Sequence, residues 1–199
     1  MALMDRAKKI LLTPKDEWPV IDAEQTTIGA LYTGYIIPLA AIGPIAQLIG
    51  FSVFGMHIPF TSVTYRMPIA QGIRGAVIGY VLALVGPFVL ALIIDALAPT
   101  FGGQKNQIQA LKTAAYSSTA AWVAGVFALI PALSILGILG LYSLFLLYLG
   151  LPVVMKAPQD KAVGYTVVVI ICAIVLYLVI GWVSALFVWR PTGMPGSVI

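Results

Sequence analysis

The chain has a single cysteine, Cys172, and a single histidine, His57. One cysteine excludes a disulfide framework and any multi-cysteine zinc or iron–sulfur site. Charge is almost as scarce. Charged side chains make up 9% of the 199 residues, against about 25% in a soluble domain. So few charges cannot solvate the surface of a soluble globular domain. An intrinsically disordered chain is excluded too, since it needs low hydrophobicity and high net charge. Eleven Lys and Arg face seven Asp and Glu. No basic run with interleaved aromatics accompanies that excess, so nucleic acid is not an expected partner. The amino-terminal apolar run is too broken to read as a signal peptide. Gly102-Gly103 is too short for a phosphate cradle and lacks a following Lys-Ser/Thr.

What is present is apolar. Hydrophobic residues make up 61% of the chain, and the mean hydropathy is +1.03. Windows 25–65, 75–94, 113–155 and 162–189 carry no Asp, Glu, Lys or Arg. About 20 apolar residues in a helix cross ~30 Å of hydrocarbon. The expected fold is therefore all-α: a polytopic membrane protein with five transmembrane helices, at about 29–54, 76–97, 114–131, 134–155 and 163–189. Pro131 and Ser134 mark the turn within the third window. A shallow re-entrant hairpin there is the alternative, though backbone at membrane depth needs protein cover. Residues 55–65, with His57, Pro59, Thr61, Ser62 and Thr64, read as a loop.

Lys and Arg in short loops set the orientation. One side holds Arg6, Lys8, Lys9, Lys15, Lys105, Lys112, Lys156 and Lys161; the other holds Arg66, Arg74 and Arg190. This bias predicts a cytoplasmic amino terminus and an outer tail over 190–199, with Trp182 and Trp189 as an outer aromatic belt. Residues 1–28 form a cytoplasmic amphipathic segment. Leu3, Ala7, Ile10 and Leu11 fall on one helical face, with Arg6, Lys8 and Lys9 projecting elsewhere. That spacing predicts a helix on the inner leaflet, its basic groups near anionic lipid. Thr13 then Pro14 reads as an N-cap and first turn, Asp16 suits the helix dipole, and Trp18 is expected at the headgroups.

Prolines and glycines punctuate the spans. Pro38 and Gly43-Pro44 in the first span and Gly86-Pro87 in the second should kink them. Gly75 and Gly79 form a small-xxx-small pattern, and Gly137, Gly140 and Ser143 another; both allow close helix packing. Asp95 is the only acid near a span interior. Such a group is either a functional residue or the partner of a headgroup-level cation, here Lys105 or Lys112. His57 has no carboxylate or cysteine near it in sequence, so no metal site is expected. Ser117 and Ser118 lack a Gly-x-Ser-x-Gly context and a histidine on their side, so no catalytic residue is expected. Cys172 sits in apolar surroundings, where a thiol is inert.

A set of motifs runs through the second half. It includes Asp95-Ala-Leu-Ala-Pro99, Phe101-Gly102-Gly103-Gln104-Lys105-Asn106 and Ala115-Tyr116-Ser117-Ser118-Thr119-Ala120-Ala121-Trp122. Leu129-Ile130-Pro131, Leu141-Tyr142-Ser143, Tyr148-Leu149-Gly150-Leu151-Pro152 and Lys161-Ala162-Val163-Gly164-Tyr165-Thr166 follow. With Ile10-Leu11-Leu12-Thr13-Pro14 and Trp18, the chain resembles the bacterial branch of the Yip (Ypt-interacting protein) family. The resemblance implies five spans, a cytoplasmic amino terminus and no enzymatic activity. Eukaryotic members look like adaptors that meet Rab GTPases. GTPase binding is not carried over, because the Asp-Leu-Tyr-Gly-Pro motif is reduced here to Leu31-Tyr32-Thr33-Gly34.

The sequence thus points to a protein without cofactor, working by contact in a bacterial inner membrane as a scaffold, assembly factor or accessory subunit. Its expected partners are membrane lipids and other integral membrane proteins. The candidate surface comprises Asp95, Pro99, Lys105, Asn106, Tyr116, Lys161 and Tyr165. The alternative is a small transporter or lipid-handling protein with a cavity at the kinked first and second spans.

Overall fold

The computed structural model describes residues 2–57 and 64–188. It opens with a helical hairpin, α1 (Leu3–Leu12) and α2 (Pro14–Ala23). Pro14 occupies the first turn of α2, where its missing N–H leaves no bond unmade. Thr13 sits at the N-cap position but does not cap through its side chain. Its hydroxyl donates instead to the Lys9 carbonyl at 3.2 Å.

The first span, Ile28–Phe54, is a chain of short helical pieces. These are α3 (Ile28–Leu31), a π-helical turn at Tyr32–Ile36, α4 (Ile37–Ala40), α5 (Ile42–Ile49) and a second π turn at Gly50–Phe54. The prolines explain the first π turn and the break at Ala41. Pro38 cannot donate to the Gly34 carbonyl, nor Pro44 to that of Ala40, and the helix is re-phased before each. A two-residue ladder, β1 (Met56–His57) with β2 (Thr64–Tyr65), closes the far end. Helix α6 (Ile69–Leu97) returns and runs through Pro87 without a break, ending in a 3-10 turn at Ala98–Phe101. Next come α7 (Gln107–Ser117), α8 (Thr119–Ala124) and a 3-10 turn at Gly125–Leu129. A 3-10 helix at Pro131–Leu141 leads into α9 (Tyr142–Val154), and α10 (Gln159–Val188) completes the bundle.

Four helices among the described residues are long and apolar enough to cross a membrane: Ile28–Phe54, Ile69–Phe101, Pro131–Val154 and Asp160–Val183. Five spans are expected from the sequence; the expected third, 114–131, is the one missing from these four. There the helix breaks after Ser117. The Ser118 hydroxyl donates back to the Ala114 carbonyl at 2.8 Å, and that of Thr119 to Tyr116 at 2.7 Å. Such back-bonding competes with the helical ladder and bends it. Ile130 is extended, as a residue before proline prefers.

This broken segment is the centre of the bundle. Residues 110–120 are all buried. It runs beside the first span in the same direction. Tyr35 meets Tyr116 and Thr119, Gly43 meets Gly125, and Gly50 meets Ala128. A Cβ on Gly125 would lie 2.9 Å from the Gly43 Cα, so side chains are excluded at this crossing. Gly140 approaches the Ala121 Cα to 3.2 Å on the same measure. On α6, Gly79 faces Pro44 and Gly72 faces Leu48 and Ser52, while Gly75 is half-buried beside them. Gly137, expected on a packing seam, has nothing within 4 Å. Trp182 is 67% exposed on α10. Trp189, the tail 190–199 and Pro59, Thr61 and Ser62 lie outside the described residues.

Candidate functional site

The dense polar chemistry gathers at the end of the bundle where α2, α7 and α9 meet. Its origin is visible in the hairpin's periodicity. The buried residues of α1 are Arg6, Ala7 and Ile10; those of α2 are Pro14, Glu17, Trp18 and Ile21. Each helix therefore buries one charge within its apolar stripe, and the two charges are opposite. The Arg6 guanidinium binds both Glu17 and Glu24. It also lies 5.7 Å from the centre of the Tyr116 ring, a distance at which the ring face attracts a cation. Tyr116 packs on Tyr35 at 4.6 Å, and the Tyr35 hydroxyl bonds that of Thr119 at 2.7 Å. The sequence reading sent Arg6 outward; the structure makes it the pin of the hairpin.

Trp18 corrects a second expectation. It is fully buried rather than at the headgroups. Its ring lies over Gly150, where a Cβ would come within 2.5 Å of Cζ2. The apolar face of α1 likewise packs on protein, with Ile10 fully buried.

A second cluster ties down the end of α2. Lys112, only 3% exposed, donates to the carbonyls of Ile21 (2.8 Å) and Glu24. A cation suits the last carbonyls of a helix, which lack intrahelical donors. Burial pulls this ammonium below the usual lysine range, and the nearby Asp22 and Glu24 carboxylates work against that. The Gln109 amide donates to Asp22 Oδ1 at 3.0 Å, and Lys156 pairs with Asp22.

The expected surface residues divide into two groups. Pro99, Lys105 and Asn106 are exposed on the connection between α6 and α7, and Lys161 is exposed in the first turn of α10. The loops themselves are joined: the Gln104 amide donates to the Met155 carbonyl at 2.8 Å, and Gly102 abuts Pro158. Gly102 adopts φ 74°, a conformation that favours glycine. Asn106 caps α7, accepting from the Ile108 and Gln109 amides at 3.1 Å. Asp95, Tyr116 and Tyr165 are instead buried. Tyr165 stacks on Phe101 and donates to the Ile94 carbonyl at 2.5 Å. Asp95 pairs with neither Lys105 nor Lys112 among the described residues, and its Oδ1 is buried without a hydrogen-bond partner there.

The Yip1 domain family matches residues 8–183. The chain belongs to that family. The match takes in α2, all four long helices and the second half of α1, and begins just after Arg6. Comparison with curated proteins and with solved structures returned no match. Of the polar pins, Glu17, Glu24, Asp22, Gln109, Lys112, Tyr35 and Thr119 lie within the matched residues and Arg6 just before them; none is among the seven residues named for the expected surface. One signal for two of them was readable: Arg6 falls three residues after Leu3, and Glu17 three after Pro14, each on its helix's apolar stripe.

The Yip1 domain also holds a cavity of about 560 Å³. Gln47 and Phe51 of the first span, Ala121 and Gly125 of the central segment, and Gly140 and Ser143 line it. It borders the first span but not the second. Pro38, Pro44 and Pro87 do not line it, and α6 contributes none of the lining residues.

Proposed function

We propose that this Yip1-domain protein is a non-enzymatic membrane scaffold, assembly factor or accessory subunit that works by contact with other integral membrane proteins. In this reading it resides in a bacterial inner membrane with a cytoplasmic amino terminus. One observation carries the reading. The buried charges at the polar end are spent on holding the chain to itself, through Arg6 with Glu17 and Glu24 and through Lys112 on the α2 carbonyls. Beside them, two loops join into one exposed face with Pro99, Lys105, Asn106 and Lys161. Such a face suits docking. The test is native copurification from the source membrane in mild detergent, comparing the intact chain with a Lys105→Glu/Lys161→Glu variant. A fixed partner lost in the variant supports the reading. A clean monomer at every detergent concentration overturns it. Orientation is tested separately with an impermeant thiol reagent in a Cys172→Ala background. Arg66→Cys should be labelled from outside and Lys105→Cys should not.

The 560 Å³ cavity favours lipid handling as a second reading. Its small apolar lining with a few polar groups matches ligand pockets in general. Gly137 lines the cavity and has open space beside it. Filling the cavity with Gly137→Leu should reduce lipid retained through purification if lipid occupies it.

A further inference from the structure

We propose that α1 lies in the headgroup boundary of one leaflet, its Met4–Lys8–Leu12 face against anionic phospholipid, and so fixes where the bilayer meets the bundle. Met4, Lys8 and Leu12 are spaced four apart, and such residues share one helical face. Met4 is 63% exposed and Leu12 79% exposed, with Lys8 exposed between them. This face points away from Arg6, Ala7 and Ile10, which are buried in the protein. Two exposed apolar side chains flanking a lysine suit neither water nor hydrocarbon. They suit the boundary, where apolar groups enter the acyl layer and long cationic side chains reach the headgroups.

The surroundings of α1 place it at that level. The Tyr142 hydroxyl donates to the Leu11 carbonyl at 3.2 Å. Leu11 also borders a cleft with Ala120, Val123, Phe127 and Leu139. The 3-10 helix that carries Leu139 exposes three apolar side chains, Ile135, Ile138 and Leu139. Toward the other end, the 11 residues of α7 extend about 16 Å at 1.5 Å per residue. That stretch holds buried Lys112, and the exposed Lys105, Lys156, Asp160 and Lys161 all lie at its foot. The boundary therefore crosses the bundle along α1. The ends of α6, α7, α9 and α10 project through the headgroups toward water. Charge selects the lipid: exposed Lys8, Lys9 and Lys15 outnumber exposed Asp5 and Asp16 around α1, and each lysine near an anionic surface adds about 1 kcal/mol of attraction.

The test uses the full chain in nanodiscs of phosphatidylcholine with phosphatidylglycerol. In a Cys172→Ala background, spin labels go on Leu12→Cys, Ile138→Cys and Lys105→Cys, and accessibility to oxygen and to a water-soluble nickel chelate gives each depth. The Leu12 label should lie within about 5–10 Å of the headgroup–acyl boundary, between a deep Ile138 label and a water-exposed Lys105 label. A second arm measures the preference for spin-labelled phosphatidylglycerol over phosphatidylcholine, which should fall at least tenfold in Lys8→Gln/Lys9→Gln/Lys15→Gln. These lysines are exposed and outside the Arg6 cluster, so the fold is kept. A Leu12 label as nickel-accessible as Lys105, or as deep as Ile138, overturns the placement. An unchanged lipid preference in the triple variant overturns the anionic ligand.

Discussion

Arg6 and Glu17 hold matching positions on successive helices, each set within the apolar stripe of its own helix, and they pair in the interior of the fold. Both are close to fully buried, at 5% and 4% exposed. Removing one partner leaves the other as an uncompensated buried charge, which is strongly destabilising, whereas replacing both by apolar groups is often neutral. Arg6→Met should therefore lower stability by about 3–5 kcal/mol. Arg6→Met/Glu17→Leu should recover much of that loss, although Glu24 then also loses its partner. Reversible unfolding of the three proteins in mixed micelles checks the order.

Gly150 is the floor under the Trp18 ring. A methyl there would collide with the indole at Cζ2 and Cε2. Overpacking of this kind typically costs about 1–3 kcal/mol. Gly150→Ala should loosen the hairpin first, so limited proteolysis should cut within residues 1–23 faster than in the unsubstituted chain. The remaining helices should keep their far-ultraviolet circular dichroism.

Lys112→Met removes the donor from the Ile21 and Glu24 carbonyls. Buried acceptors left without partners cost about 1–3 kcal/mol. Faster amide exchange at the end of α2 is the expected readout by hydrogen-exchange mass spectrometry. Lys112→Arg should restore part of the protection.

Tyr35→Phe deletes the hydroxyl that meets Thr119 while keeping the ring on Tyr116. The expected loss is about 1 kcal/mol, well below the cost of Tyr35→Ala, which also leaves a cavity. Unfolding midpoints of the two variants against the parent decide between a hydrogen-bonding and a packing role.

Gly125 and Gly43 cross with no room for a side chain on Gly125. Gly125→Leu should force the first span away from the central segment and destabilise the bundle by about 1–3 kcal/mol, as overpacked cores do. Gly137→Ala, with open space beside it, should leave the unfolding midpoint within experimental error of the parent.

The membrane class was legible because it depends on composition. Stretches without ionisable groups must be helical in lipid, where every backbone donor and acceptor needs an internal partner. Residues 75–94 and 162–189 carried that signal unaided, and α6 and α10 follow it. The third stretch is less regular. The charge-free run 113–155 looked uniformly apolar, yet its first part is broken at Ser118 and Gly125 by local hydrogen bonding and close packing. The candidate site was legible only in part. Lys105 and Asn106 on the loop and Lys161 at the start of α10 are exposed, while Tyr116 and Tyr165 are core.

By itself the sequence determined that the chain is a bundle of apolar helices with charge confined to their ends, since hydropathy acts locally along the chain. Only the tertiary structure decided which partner each hairpin face would take. Arg6 could have gone to lipid phosphate or to Glu17, and Trp18 to the headgroups or to the notch at Gly150. Those choices depend on residues more than ten positions apart meeting in space, and no local periodicity encodes that meeting.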